Sequence, residues 1–274
     1  MVKKGDTLIE VTLAVGIFSM IAIAIVAVMS GGTSGAQSSL ETTLTRQEID
    51  TQAEALRFIH SSYIADRDSN NENLTYVQLW KSITQHAYYI DKNTNEDERN
   101  RVLKFNPSSC KAHYDEFIRN GANAFIINPR ALGNLKTTVS GSGDQELRKA
   151  YVSVRNGSDS CKFQEAQTYP HLIYSTAANN CSSSDTNPSN SDDSGLTSNF
   201  NADQLFRAEG IYVLAVKDSG TTMLSHDYNS KESSAFYDFY IRACWYGTDA
   251  EEPSTISTVI RLYDPDAVAE FQTD

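Results

Sequence analysis

Apolar residues follow three rhythms along the chain. Over residues 7–29 they are almost unbroken. A helix of about 20 apolar residues crosses a hydrocarbon layer of about 30 Å, so this run predicts one membrane-length helix. From Leu40 the rhythm loosens. Leu40, Leu44, Ile49, Ala53, Leu56, Ile59 and Tyr63 recur every three to five residues, which predicts an amphipathic helix ending near Arg67. Towards the C-terminus the period falls to two. Tyr237, Phe239, Ile241, Ala243 and Trp245 form one apolar face, and Ile256, Thr258, Ile260 and Leu262 repeat the pattern after Pro253. Such alternation predicts strands with one buried face.

Between the first two rhythms lie Gly31, Gly32 and Gly35. Each glycine costs a helix about 1 kcal/mol relative to alanine. Ser38 and Glu41 then have the spacing of a capping box that restarts a helix. A break is therefore expected here; uninterrupted, residues 6–67 would span about 90 Å. Farther on, a short helix is expected over 75–87, with Trp80 and Ile83 on one side, and another over 111–119. Asn106-Pro107 marks a break, and 124–127 and 151–154 read as strands. Residues 179–201, rich in Ser, Asn and Asp, read as a surface loop. The stretches 211–217 and 222–228 flank Asp218-Ser219-Gly220, a hairpin signal. Consecutive strands with short links predict an antiparallel meander, and the first partner for its buried face is the long helix. The expected fold class is α+β: a long N-terminal helical spine against a C-terminal antiparallel sheet, with the head over residues 68–274.

Charge narrows the functions. Acids outnumber bases 35 to 23, for a formal net charge of −12, which argues against a large nucleic-acid surface. Lys3 and Lys4 precede the apolar run and the next basic residue is Arg46, so the N-terminus is expected on the cytoplasmic side and the bulk of the chain outside. Four widely spaced cysteines, Cys110, Cys161, Cys181 and Cys244, then read as two disulfides formed in an oxidising place. Three pairings are open. Nucleotide-binding loops, nucleophile elbows and zinc-protease motifs do not occur, and the five histidines are scattered singly. No catalytic residue, cofactor or metal site is expected. Asp185, Asp192 and Asp193 lack EF-hand spacing and read as part of a solvated loop.

One acid does not suit an ordinary anchor or signal. Glu10 is the only charge within residues 7–29, and a carboxylate at mid-membrane costs roughly 2.5–3.5 kcal/mol on insertion scales. Lys3-Lys4-Gly5, then Asp6-Thr7-Leu8-Ile9-Glu10, then the apolar run resembles the class III leader of type IV pilins and pseudopilins. The resemblance covers about the first 30 residues. It implies a leader of residues 1–5, cut by a prepilin peptidase between Gly5 and Asp6, and methylation of the new amine on Asp6. It implies that residues 6–29 sit in the cytoplasmic membrane and then in a filament core. Glu10, as the fifth mature residue, would pair with the amine of a neighbouring copy. Pilins often have a proline where part of the long helix melts in the filament; in residues 30–67 the three glycines would take that part. The family usually starts its mature chain with phenylalanine, and Asp6 departs from that. The implied function is that of a non-enzymatic structural subunit of a surface pilus for adhesion, twitching motility or DNA uptake. Its partners would be copies of itself or other pilins, the assembly platform, and a host surface or DNA. A pseudopilin of a secretion system shares the same N-terminus, and a membrane-anchored adhesin is the further alternative.

Overall fold

No proline occurs before Pro107, and α1 runs from Asp6 to Arg67 as a single helix of 62 residues. The computed structural model describes residues 6–67, 71, 73–85, 87–90, 95–105, 108–110, 124–138, 147, 150–154, 163–166, 168–175, 205–218, 236–247 and 250–264. The chain forms two compact units, residues 1–43 and 44–274.

The break expected at Gly31, Gly32 and Gly35 is not present in this structure. Propensity is a weak force, and helix bonds already formed on both sides propagate through an unfavourable stretch. The neighbouring hydroxyls also turn inward. Thr33 Oγ1 donates to the carbonyls of Met29 and Ser30 at 3.1 and 2.9 Å, and Thr42 Oγ1 donates to Ser38 O at 2.9 Å. Ser38 therefore lies inside a helix rather than capping a new one. The amphipathic stretch from Leu44 onward lies in the second compact unit.

Within residues 44–274 the helical stripe packs as its spacing predicts. Ile49, Ala53, Leu56, Ile59 and Tyr63 are buried, Leu56 and Ile59 completely. Each such aliphatic side chain contributes about 1.5–3 kcal/mol on burial. They meet α2 (Thr75–Thr84) through Leu79, Trp80 and Ile83. Trp80 stacks on Tyr63 at 5.6 Å and meets Tyr237 and Phe239 at 5.9 and 5.8 Å.

The main sheet contains β1 (Tyr88–Ile90), β2 (Ala124–Ile127), β3 (Tyr151–Val154), β7 (Ile211–Asp218), β8 (Phe236–Trp245) and β9 (Ser254–Tyr263), ordered β3-β2-β7-β8-β9 with β1 beside β7. The expected meander is realised as β7-β8-β9, with β8 and β9 in register from Phe236↔Tyr263 to Trp245↔Ser254. The sheet is mixed rather than wholly antiparallel, because β1 pairs with β7 in parallel. The 222–228 half of the expected hairpin, the expected helix at 111–119 and the 179–201 loop lie outside the described residues; β7 takes β8 as its partner.

Alternation sorts the two faces. Tyr237, Phe239, Ile241, Ala243, Ile260 and Leu262 join the core with α1 and α2. Over β7, the opposite face is covered by Tyr88, Ile90 and Val102, which pack on Leu214 and Val216. Val102 belongs to α3 (Glu96–Leu103). Arg242, fully buried on that face, caps α3 by donating to the Val102 carbonyl, a favourable place for a cation. The Cys110–Cys244 disulfide closes beside it, with Cα atoms 5.5 Å apart.

Two further contacts lock the head. Strand β7 pairs with β2 only at Ala124 and Phe125. Beyond them Gln52, buried on α1, donates from Nε2 to Ile127 O at 2.8 Å and accepts from Ile127 N at 3.0 Å. Gln52 thus satisfies both polar groups of a buried peptide. The second sheet has the order β4-β6-β5, from β4 (Phe163–Gln164), β5 (His171–Ser175) and β6 (Leu205–Glu209). Gly210 alone separates β6 from β7, at φ 66. A Cβ there would lie 2.6 Å from Cys244 O and 2.7 Å from Ala166 Cβ, so only glycine fits.

Candidate functional site

Residues 1–5, including Lys3, Lys4 and Gly5, lie outside the described residues, and Asp6 is the first residue of α1. Four residues on, Glu10 is exposed. Around and beyond it the helix is apolar on every side. Leu8, Phe18, Met20 and Val28 are each 70–76% exposed, and Ile9, Val11, Leu13, Ile23 and Met29 are also exposed. Its two hydroxyls short of Met29 with recorded bonds are internally satisfied. Thr12 Oγ1 donates to Ile9 O and Ser19 Oγ to Val15 O, at 2.9 and 2.8 Å, which lets both sit among apolar groups without an unpaired donor. By length and composition this helix is able to cross a membrane.

The glycines point the same way. A Cβ built on Gly16, Gly31, Gly32 or Gly35 meets nothing within 4 Å. Packing within the monomer therefore does not require them to be small. No charged residue occurs from Val11 to Leu40. Residues 7–29 thus present one acid, Glu10, near the start of an apolar run whose side chains are exposed.

The ionisable groups of the head serve its packing. Lys217 Nζ donates to Asp264 Oδ2 at 2.6 Å and to the Tyr237 hydroxyl at 3.3 Å, with both charged side chains buried. Burial alone would lower the Lys217 pKa, but the bond to Asp264 and the neighbouring Tyr237 outweigh it and the net shift is upward. Close by, His60 Nε2 lies 2.7 Å from Tyr263 O. These two contacts tie the end of β9 to β7 and to α1. The Glu48 pKa is raised, first by burial, against the opposing charges of His171 and Arg130. Arg130 itself lies over the Tyr174 ring at 3.9 Å. Tyr212 is fully buried, and burial pushes its pKa far up. Among the described residues no group of three His, Cys, Asp or Glu is placed to hold a metal.

The structure brings Cys110 and Cys244 together and so selects one bond from the open pairings. Cys161 and Cys181 lie outside the described residues, as do Asp185, Asp192 and Asp193. The sequence reading missed the Lys217–Asp264 pair. The only signal for it was the placing of both residues at strand ends, which many solvated charges share. No known family matches this chain, and no curated protein or solved structure matches it either.

Proposed function

We propose that this chain is a subunit of a type IV pilus-like filament, cut after Gly5, held in the cytoplasmic membrane by residues 6–29 and then polymerised outside it. The observation that carries this reading is the apolar run of residues 7–29, exposed on all sides, with Glu10 as its one acid. A lone membrane anchor gives no reason for that acid. In a staggered bundle of helices, the amine freed at Asp6 on one copy lies against Glu10 of the next. Two charges in apolar surroundings are tolerable when paired, and removing one partner costs about 3–5 kcal/mol. Such a pair sets the stagger of the helices more than it adds stability. The Cys110–Cys244 bond supports a head that folds on the oxidising side of the membrane.

The function needs no catalytic residue, since attachment and traction are properties of the polymer. Intact-protein mass spectrometry of the chain purified from its own membrane tests the reading. A mature chain beginning at Asp6 is expected. A chain that keeps Met1, or begins near residue 30, would overturn it.

A further inference from the structure

The head carries two exposed surfaces of opposite chemistry. The first is a groove of about 530 Å³ between α1 and the helical turn α4 (Pro129–Leu132). Ala55, Phe58, Pro129 and Leu132 give it an apolar floor; Asp50 stands on its rim on α1, as does Glu54, which is ion-paired with Arg57. Its walls are fixed in advance. Gln52 holds α1 to Ile127, Asn128 caps α4 by accepting from Arg130 N at 3.1 Å, and the Tyr76 hydroxyl donates to Leu132 O at 2.6 Å. Tyr76 also meets the Phe58 ring edge-on at 5.6 Å. Phe58 is nonetheless 45% exposed.

The second surface lies on the face of the main sheet turned away from α1. There Phe236, Val259 and Tyr263 are 42%, 48% and 39% exposed. Phe236 and Tyr263 pack edge-on at 5.7 Å. Arg261 lies over Phe236 at 5.5 Å and is held by Asp238 through two hydrogen bonds of 2.7 and 2.8 Å. That grip fixes the guanidinium plane, and the Arg261 side chain is still 64% exposed.

We infer that the groove of one copy receives the Arg261 patch of the next. The inference rests on the filament reading above and adds to it the contact between heads. Charge selects the partner. At a net charge of −12, copies repel one another unless opposite charges are placed to meet. Asp50, at the rim of an apolar floor, complements the Arg261 guanidinium, which Asp238 orients and leaves exposed among apolar side chains. Placement selects the symmetry. The groove is built on α1, which covers one face of the sheet, and the patch is on the other face. One copy can therefore engage two neighbours at once, through different surfaces. A heterologous contact of this kind builds an open filament where its rotation does not close a ring.

The test uses full-length filaments carrying Ala55→Cys and Val259→Cys together, oxidised and run without reductant. A ladder of dimers, trimers and higher species is expected from the pair and from neither single variant. Dimers from Val259→Cys alone would mean a two-fold contact and overturn the inference. Wild-type filaments that form normally while the cysteine pair gives no ladder would sink this contact and leave the filament reading standing. A wild-type chain that never polymerises removes both. Charge exchange gives a second measure. Arg261→Glu is expected to cut filament yield on the order of tenfold, with recovery when Asp50→Arg is added. Equal yields from all of these variants would contradict the contact.

Discussion

Residues 6–43 and residues 44–264 use apolar side chains in opposite ways. In the first stretch the large apolar side chains are exposed, and the four glycines meet nothing. In the second, the apolar faces of α1, α2 and the main sheet meet in one core, and Gly210 is where it is because nothing larger fits. A head of this kind is complete as a monomer. The N-terminal helix is complete as hydrogen-bonded backbone only, and its large apolar side chains stay exposed. The stability of the head and the exposed apolar surface are therefore encoded in separate stretches of sequence, and on the proposed filament reading substitutions should separate stability from assembly.

The largest effect on the head is expected at the point where its two sheets join. Gly210→Ala places a methyl against the Cys244 carbonyl at a positive φ, and should cost about 4 kcal/mol or more, read as a fall in the denaturant midpoint. Cys244→Ser opens a bond that spans 134 residues of sequence, with an expected loss of about 2–5 kcal/mol, matched in the wild type by reductant. The triple change of Gly31, Gly32 and Gly35 to Ala should do the reverse. It stiffens α1 by about 1 kcal/mol per site and leaves the unfolding midpoint of the head where it was. A fall in that midpoint would break the separation of the two stretches. The smallest effect concerns Glu48. Its raised pKa means that ionisation opposes folding, so its stabilising share is full below the unfolded value and is lost as pH rises through the folded one. Glu48→Gln should raise the melting temperature slightly at neutral pH and leave it unchanged near pH 4. A variant less stable at neutral pH would show that Glu48 is paired rather than merely buried.

The parts of the fold legible in the sequence were those with sustained rhythm. The stripe from Ile49 to Tyr63 and the alternation of β8 and β9 each run long enough for period to identify them. Strands β1, β4, β5 and β6 are two to five residues long and carry no sustained alternation, whereas β2 and β3, as short, stood out by apolar and β-branched content. Two of the pairings, β1 with β7 and β4 with β6, are parallel and depend on crossover connections that composition does not record. The glycines leave α1 continuous in this structure, because propensity counts residues singly, whereas a helix propagates through its neighbours. Leu40 belongs to the apolar spacing but is 58% exposed, because the buried face of α1 runs through Glu41, Thr45 and Ile49, one position round the helix. The groove beside Phe58 had no sequence signal, because its floor comes from α1 and from a turn more than 70 residues away.

Glu10→Ala is the most direct test of the central claim. The variant should be cut after Gly5, remain in the membrane fraction and keep a head with the wild-type unfolding midpoint. Electron microscopy of such cells should show no filaments. Filaments of normal length and number from that variant would contradict the pairing of Glu10 with a neighbour's amine.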